Sequence, residues 1–377
     1  MKKYVLIPDS FKGTMSSKEI CEIMSRSIHR FDPEAQTVSI PVADGGEGSV
    51  DAYLSAMDGQ KVYTTVKGPY GEDMQGFYGV VDGGKTAIIE MAVCAGLPLV
   101  GDRLHPDQTT TYGVGQLMVH AAEHGCRKMI LALGGSCTND AGAGAAAAAG
   151  TRFLDAQGNS FVPVGATLSN VAKIDDSAFS PSLREVEIHA MCDIDNPLFG
   201  ENGAAYVFGP QKGADQNMVQ LLDEGLRHLS EMISKQLHLD ISQIPGAGAA
   251  GGMGGGAVAF FGARLQMGID VLLDTVNFES LAEKADFIFT GEGRLDTQSL
   301  RGKVVVGVAR RAKKQNIPVL AVVGDVGDSI DSVYDMGVSA VFSINRVAVD
   351  FKKAKLRSKD DLSKTMDNIM RLIQLES

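Results

Sequence analysis

The sequence predicts an α/β protein of two domains, one of which is assembled from both ends of the chain. In residues 1–60 and 285–377, short apolar runs alternate with amphipathic helix patterns, which is typical of a parallel sheet. From about residue 61 the pattern changes to short strands joined by glycine turns, which indicates antiparallel pairing. A mixed α/β domain over residues 61–284 is therefore inserted into the first, and we expect the substrate cleft between the two domains.

The first part of the chain reads strand, helix, strand, turn, helix. Residues 4–7 predict a buried strand, Ser16 or Ser17 caps a helix that runs to about residue 30, and a second strand covers 37–42. That strand ends in a glycine turn, 44–48, and a helix begins near Ser49. In such sheets ligands collect at the carboxyl ends of the strands. The candidate binding residues at these ends are Asp9, Ser10, Lys12, Asp44 and Glu47.

The remaining helices and strands are predicted in the same way, from the spacing of apolar residues along the chain. In the inserted domain we expect strands over 61–66, 76–81, 86–90, 129–133 and 188–192, helices over 109–124, 141–149, 216–235 and about 253–264, and a loop-rich segment over 151–185. In the last part we expect strands over 287–290, 318–323 and 339–344 and helices over 302–314 and about 359–374.

Residues 131–150 combine a strand, a glycine turn and a helix of small residues. The strand breaks at Gly134 and Gly135, and Ser136, Thr138, Asn139 and Asp140 are good helix N-caps. Turn amides and the positive end of a helix dipole would then point at one spot, which predicts an anion site. The alternative is an ordinary βα turn that binds nothing. Similar glycine turns with polar side chains favour the anion site; they cover 44–48, 209–213, 246–256 and 291–296.

Composition excludes several classes of protein. The 377 residues carry a net charge of −11, which argues against nucleic acid as a partner. The five cysteines form no C-x-x-C pair, as expected in a reducing compartment. The apolar run at the N-terminus is too short for a signal peptide, and no apolar stretch is long enough to span a membrane. We therefore expect a cytoplasmic protein with no membrane partner.

The common nucleotide and hydrolase motifs are absent from the sequence. It contains no P-loop, no strand-coupled dinucleotide fingerprint, no G-x-S-x-G elbow and no H-E-x-x-H. His120 and His124 share one helix, but no cluster of further ligands accompanies them, so we expect no zinc site.

Carboxylates, cations and glycine turns remain as the chemical groups. Acidic residues stand at or just after predicted strand ends, namely Asp44, Asp193, Asp195 and Asp296, and cations stand in the turns, namely Lys12, Lys212, Arg294 and Lys303. Phosphoryl transfer needs this combination, because cations and amides hold phosphates, one carboxylate binds Mg²⁺ and another accepts the proton of the attacking hydroxyl. Each residue alone also fits a structural role, such as a turn cap or an ion pair between Arg294 and Asp296.

Taken in order, the motifs resemble the type 1 bacterial glycerate kinases over nearly the whole chain. They are PDSFKGT (8–14), PVADGGEG (41–48), LGGSCTND (133–140), DIDNPL (193–198), FGPQKGA (208–214), GAGAAGGMG (246–254) and GEGRLDTQ (291–298). Cys137 and Ala141 replace an alanine and a glycine of the family pattern, both small for small. The resemblance implies two α/β domains, one of them flavodoxin-like, and phosphorylation of D-glycerate by ATP and Mg²⁺ at the 2-hydroxyl to give 2-phosphoglycerate.

On this reading each group of residues takes a role. Lys12 with Ser10, together with Arg294, would bind the glycerate carboxylate, and Asp9, Asp44 and Glu47 complete the substrate site. The ATP phosphates would lie against Gly134, Gly135, Ser136, Thr138 and Asn139, with Gly291 and Glu292 as further cofactor-binding residues. Lys212 would neutralise charge in the transition state. Asp193 is the first choice for the general base and Asp195 for Mg²⁺, with Asp44 and Asp296 as rivals.

Other functions fit the same residues. A non-catalytic sensor of small anions would keep Lys12 and the glycine turns, but it would not need several carboxylates at strand ends. A kinase for a related hydroxy acid, or transfer to the 3-hydroxyl of glycerate, would use the same charges. Domain closure is expected of a kinase, with hinges near residues 60 and 285. The sequence leaves monomer and homodimer open.

Overall fold

The computed structural model describes residues 1–42, 45–297 and 299–375. Within these ranges the strands, in chain order, are β1 (Lys3–Pro8), β2 (Gln36–Ser39), β3 (Gly59–Lys67), β4 (Asp73–Val81), β5 (Thr86–Glu90), β6 (Lys128–Ala132), β7 (Arg152–Leu154), β8 (Ser160–Phe161), β9 (Lys173–Asp175), β10 (Glu187–Met191), β11 (Arg264–Gln266), β12 (Phe287–Gly291), β13 (Arg294–Leu295), β14 (Val319–Val323), β15 (Asp325–Val326) and β16 (Val338–Ser343).

The α-helices of the same ranges lie between these strands and at the end of the chain. They are α1 (Ser17–Phe31), α2 (Ser49–Ala56), α3 (Ala92–Ala95), α4 (Leu97–Val100), α5 (Tyr112–Glu123), α6 (Ala143–Ala148), α7 (Pro181–Arg184), α8 (Ala204–Phe208), α9 (Gln216–Leu237), α10 (Ala249–Phe261), α11 (Gly268–Thr275), α12 (Phe278–Ala282), α13 (Val304–Lys313), α14 (Ser332–Asp335) and α15 (Phe351–Gln374). None of them is long and apolar enough to cross a membrane.

Internal contacts divide the chain into two compact units. The terminal unit comprises Met1–Asp44 and Met267–Ser377, and the central unit comprises Gly45–Gln266. The chain passes between the units at these points rather than near residues 60 and 285. The reason lies in two helices: α2 packs on β4 and β5 of the central unit, and α11 packs on α13 of the terminal unit.

The terminal unit contains a parallel sheet built from both ends of the chain. Its strand order is β16-β14-β12-β1-β2, and Tyr4 of β1 lies beside Phe287 of β12. On one face, Ile20 and Met24 of α1 and Met366 of α15 are buried in one apolar cluster. The α/β class and the sheet assembled from the two chain ends are confirmed.

The start of α1 follows the sequence signal closely. The Ser16 side chain accepts a hydrogen bond from the Glu19 N–H, and the Glu19 carboxylate accepts one from the Ser16 N–H. This reciprocal capping satisfies two amides that the first turn of a helix leaves without partners. Of the two predicted caps, Ser16 and Ser17, it is Ser16 that caps α1.

The central unit is organised around a mixed sheet of order β11-β10-β6-β5-β4-β3. Strands β11, β10, β6 and β5 are parallel, whereas β5, β4 and β3 pair antiparallel. The antiparallel pairing expected after residue 61 is confirmed. Helices α5 and α6 pack so closely that a Cβ at Gly115 would lie 2.2 Å from the Ala145 carbonyl oxygen.

The segment 151–185, which we expected to be loop-rich, is more structured than its sequence suggests. It holds a small antiparallel sheet of order β8-β7-β9, and Phe153 and Ile174 from this sheet are buried in the core of the central unit. Strands of two or three residues are too short to show an alternating pattern. Much of the segment still lies outside helices and strands, so the loop-rich prediction holds in part.

Two helix starts also differ from the prediction. Helix α15 begins at Phe351, capped by the Asp350 side chain, and not near residue 359. Helix α6 begins at Ala143 after Gly142, which has a φ of 71°. The Asp140 carboxylate, two residues earlier, accepts the Gly142 N–H. Each of the five cysteines is a buried free thiol.

Candidate functional site

A cavity of about 550 Å³ opens in the terminal unit at the carboxyl ends of its parallel strands. We call it the terminal cavity. The sequence-predicted residues that line it are Asp9, Ser10 and Lys12 after β1 and Glu292 and Arg294 after β12. Adjacent strand ends of a parallel sheet meet at one edge, and this edge is where such sheets bind ligands.

The turn after β1 is fixed by backbone hydrogen bonds. The Asp9 N–H donates to the Gly291 carbonyl at 2.8 Å, which ties the end of β1 to the end of β12. Phe11 and Met15 exchange N–H···O bonds, and Gly13 between them takes a φ of 74°. The short loop leaves Lys12 exposed at the cavity.

Glu292 is a buried acid of the terminal cavity. Its side chain is only 6% exposed, and among the described residues its Oε1 has no hydrogen-bond partner. Burial raises the pKa of Glu292 to about 7; a hydrogen bond with Ser299 opposes the rise, and the Asp9 carboxylate adds to it. A carboxyl group that titrates near neutrality can both accept and return a proton.

Arg294 lies at the exposed edge of the cavity. It belongs to the short strand β13, which pairs with β15, and its Nε is 3.8 Å from Oδ2 of Asp325. Both side chains are more than half exposed, so this pair is solvated and adds little stability. The guanidinium can therefore exchange this partner for an anionic ligand at small cost.

Sequence reasoning missed several residues of this cavity. Asp325 and Asn345 follow β14 and β16, and the strand-end rule used for β1 would have found both. Lys355 and Asp361 come from α15, and no spacing in the sequence points to them. Lys303, noted only as a turn lysine, also lines the cavity.

The second polar cluster lies inside the central unit, and we call it the buried lysine centre. The Lys212 side chain, 3% exposed, donates to Ser136 Oγ and to the Thr138 carbonyl oxygen, both at 2.7 Å. Burial lowers the pKa of Lys212 to about 8, and the nearby Cys137 and Asp140 oppose that shift. An amine in such surroundings carries a charge that is poorly solvated.

The amides predicted to bind an anion at the start of α6 already have one. Oδ2 of Asp140 accepts the N–H of Gly144 at 3.3 Å and the N–H and hydroxyl of Thr111 at 2.7 and 2.8 Å. Oδ1 of Asp140 accepts the Gly142 N–H at 3.1 Å. In addition, the Gly134 N–H donates to the Gly45 carbonyl oxygen at 3.0 Å. The anion at this helix start is thus a carboxylate of the protein itself, and the Gly134 amide is already bonded.

Thr138 and Asn139 are completely buried in the same loop. Within the described part of the chain, Thr138 Oγ1 and both polar atoms of the Asn139 amide have no hydrogen-bond partner. Buried polar atoms without partners cost roughly 1–3 kcal/mol each. Gly135, by contrast, is exposed with a φ of 79°.

The acids after β10 lie in the central unit with different exposure. Asp193 is half-buried, with its Oδ2 close to Gly45, and Asp195 is exposed. The described residues contain no group of three or more His, Cys, Asp or Glu side chains that would hold a metal alone. A pair of carboxylates still fits Mg²⁺ that arrives with phosphate oxygens, since such ions use one or two protein carboxylates.

Four further predicted residues lie in different surroundings or outside the described ranges. Asp296 is half-buried near Glu292 in the terminal unit, and Glu47 is exposed in the central unit. Gly291 is required by packing, because a Cβ there would lie 2.1 Å from the Val322 carbonyl oxygen. Asp44 lies outside the described residues.

Comparison with known proteins gives a consistent result. Residues 4–374 match the model of the glycerate kinase family. A glycerate kinase of Bacillus cereus is 43% identical over 376 residues, with 100% of this chain and 99% of that protein covered. The glycerate 2-kinase of Escherichia coli K12 is 43% identical over 343 residues, covering 91% of this chain and 90% of that protein.

A solved structure agrees with the sequence relatives. A protein from Salmonella typhimurium LT2, assigned as glycerate kinase 2, matches with a TM-score of 0.88 at 38% identity, covering 100% of this chain and 99% of the other. The resemblance found in the motifs is therefore confirmed. The chain belongs to the glycerate kinase family.

Proposed function

We propose that this glycerate kinase transfers the γ-phosphoryl group of ATP to the 2-hydroxyl of D-glycerate, giving 2-phosphoglycerate and ADP. The observation that carries the proposal is the terminal cavity, where cations, hydroxyls and a carboxyl group that titrates near pH 7 share one set of strand ends. The likeness to the Escherichia coli glycerate 2-kinase supports the choice of hydroxyl.

The acceptor would bind at the ends of β1 and β12. Lys12, Ser10 and Arg294 supply cationic and hydroxyl donors that suit the glycerate carboxylate. Asp9 faces the same cavity, and its carboxylate can accept a hydrogen bond from a glycerate hydroxyl. Asp44 and Glu47 stay predictions as further substrate ligands.

The proton of the attacking hydroxyl needs an acceptor. As this oxygen bonds to the γ-phosphorus, the bond to the β-phosphate oxygen breaks and the hydroxyl proton passes to a carboxylate. Glu292 fits this role by its pKa near 7 and its unpartnered Oε1 at the cavity. Asp193, our first choice from the sequence, and Asp296 remain rivals.

The negative charge of the phosphates needs compensation. Lys212, with Gly135, Ser136, Thr138 and Asn139 as phosphate ligands and Gly291 as a close-approach position, stays the prediction from the sequence for this role. The cations Lys303 and Lys355 of the terminal cavity fit the phosphates as well. Asp195 would be a carboxylate ligand of Mg²⁺. That ion, when bound, neutralises charge on the phosphate oxygens.

The two compact units are, in this proposal, the two domains of the enzyme. If the strands of the parallel sheet of the terminal unit alone are numbered 1 to 5 in chain order, β12, β14 and β16 become strands 3, 4 and 5. The sheet then has the order 2-1-3-4-5 of the flavodoxin-like doubly wound sheets, with a switch point between β1 and β12. The terminal cavity lies at the ends of these two strands, as expected for a ligand site of that fold.

The direct test is a coupled assay of ADP release from Mg·ATP and D-glycerate, with ³¹P NMR of the product. A 2-phosphoglycerate resonance is expected. A 3-phosphoglycerate resonance would keep the kinase and change the hydroxyl. Folded protein that binds glycerate without turnover would instead be a sensor of small anions.

The proton acceptor is tested with Glu292→Gln and Asp193→Asn side by side. If Glu292 is the base, kcat/KM of the wild type decreases as the pH drops below the pKa of Glu292, about 7. Glu292→Gln should then lower kcat by about 10²-fold or more, the range of general-base catalysis. Near-normal turnover in Glu292→Gln, with a large loss in Asp193→Asn, would give the role to Asp193.

A further inference from the structure

The terminal cavity is much larger than glycerate requires. Its volume of about 550 Å³ lies within the range of roughly 300–1,000 Å³ typical of sites for drug-sized ligands. The polar strand ends form one side of it. Apolar residues form another side, namely Ile344, Val349, Phe351 and Ala354. A small hydroxy acid bound at Ser10 and Lys12 would leave this apolar side uncovered.

The apolar side depends on the first two turns of α15. Phe351, Ala354, Lys355, Ser358 and Asp361 all line the cavity, and their spacing of three or four residues places them on one helix face. The buried residues of α15 begin only at Ser358. The turns before Ser358 therefore project beyond the packed core and serve mainly as a wall of the cavity.

An aromatic ring stands exposed on this wall. The Phe351 side chain is 68% exposed and stacks on no other described ring, and Val349 beside it is also exposed. Exposed apolar side chains at the rim of a cavity mark ligand grooves. A flat heteroaromatic ring would cover Phe351 by stacking.

The charge of this helix start points to an anion beside that ring. Lys352, Lys353 and Lys355 crowd the positive end of the helix dipole, an arrangement that is unfavourable without a counter-charge. Lys353 pairs with Asp350. Lys355 and Lys303 face the cavity and have no ion-pair partner among the described residues. The Lys355 amine lies 3.9 Å from the position of a Cβ on Gly13, next to Lys12.

We propose that the terminal cavity also binds the nucleoside triphosphate, with its base on Phe351, Val349 and Ile344 and its phosphates toward Lys355 and Lys303. This inference rests on the proposed function, since it identifies the site of the phosphoryl donor. It places donor and acceptor side by side: the base lies on the apolar wall, and glycerate lies at the ends of β1 and β12.

The test is binding of ADP to the full chain by calorimetry, without and with saturating D-glycerate, together with steady-state kinetics. Phe351→Ala should weaken ADP binding and raise the KM for ATP about tenfold, as expected for lost base stacking. The KM for glycerate should change less than about twofold, because the ring offers no polar partner to a small hydroxy acid. Phe351→Tyr should restore binding.

The matched control is Leu356→Ala. Leu356 lies on the same helix, is 87% exposed and does not line the cavity, so its loss should leave ADP binding unchanged. Lys355→Gln should weaken the binding of ADP and leave the binding of adenosine unchanged, because in this proposal the Lys355 amine contacts the phosphates, which adenosine lacks. Melting temperatures show whether each variant is folded.

The outcomes separate the two proposals. If Phe351→Ala binds ADP like the wild type, if it raises the KM for glycerate instead, or if the wild type binds no ADP under either condition, the nucleotide assignment is overturned. If ADP binding falls as expected while the wild type phosphorylates no glycerate, the nucleotide site stands and the proposed function fails.

Discussion

The terminal cavity and the buried lysine centre use the same local device with opposite results. In both, a strand that runs parallel to its neighbours ends in a turn with glycine and polar side chains. After β1 and β12 the polar groups face a cavity of about 550 Å³. After β6 the loop is filled from within, by the Lys212 amine and the Asp140 carboxylate. The turn after β6 is therefore closed by the protein's own groups, whereas the turns after β1 and β12 face open space.

The largest effect is expected for Lys212→Met, which roughly keeps the length of the side chain and removes the amine. This variant tests whether the buried lysine centre only fills its loop or also acts in catalysis. If the amine acts on the phosphoryl group, kcat should fall by about 10²–10³-fold, the loss typical of one donor at a developing charge. Since the pKa of Lys212 is about 8, wild-type kcat should also fall above pH 8, and the variant should lack this decline. Kinetics over pH 6–10 measure both.

The control for this variant is Lys235→Met, because Lys235 is an exposed lysine paired only with Glu231 on its own helix. Its kinetics should match the wild type. Should Lys212→Met lower the melting temperature while kcat stays normal, the buried lysine centre would be purely structural, and the contrast between the two clusters would be complete.

Asp140→Asn tests how much the internal carboxylate stabilises the central unit. The carboxylate accepts four hydrogen bonds in a fully buried position, and an amide would turn a donor toward some of those N–H groups. We expect a loss of about 3 kcal/mol or more in the free energy of unfolding, since bonds to charged groups contribute about 1.5–3 kcal/mol each. Denaturant titration gives the value.

Asp155→Asn is the matched comparison for Asp140→Asn. Asp155 also accepts backbone N–H groups, from Gln157 and Asn159, but in an exposed turn. Its replacement should leave the unfolding midpoint almost unchanged. Equal losses in both variants would mean that burial of Asp140 adds nothing.

The smallest effect is expected for Arg294→Gln in the terminal cavity. The side chain is exposed and its pair with Asp325 is solvated. Removing it should raise the KM for glycerate about two- to fivefold with kcat unchanged, in line with exposed ion pairs of about 0.2–1 kcal/mol. A change confined to the KM for ATP would reassign Arg294 from the acceptor to the donor.

Most strands and helices could be predicted from local signals in the sequence. The apolar run of β1, the helix cap at Ser16 or Ser17, and the short strands after residue 61 each need only neighbouring residues, and all three are confirmed. The small sheet of β7, β8 and β9 was missed because its strands are too short to form a pattern. The early turns of α15 were missed because they carry no apolar stripe toward the core.

The candidate site was harder to predict, because its contacts join distant parts of the chain. Ser10, Lys12 and Arg294 were found from strand ends, yet nothing in the sequence places Lys355 beside Gly13. Likewise, Ser136 is a plausible phosphate ligand until Lys212, 76 residues away, is seen to bond it. The pKa of Glu292 depends on burial by several elements, which spacing alone cannot convey.

The pairing of Tyr4 with Phe287 also has a consequence for synthesis of the protein on the ribosome. The partner strand β12 emerges long after β1, a delay of roughly 15–60 s at about 5–20 residues per second. The central unit, by contrast, is one continuous stretch, Gly45–Gln266, and is available as a whole before β12 appears. Until β12 has been synthesised, one edge of β1 has no partner strand. The nascent chain therefore carries an unpaired strand edge that is prone to aggregation for most of its time on the ribosome.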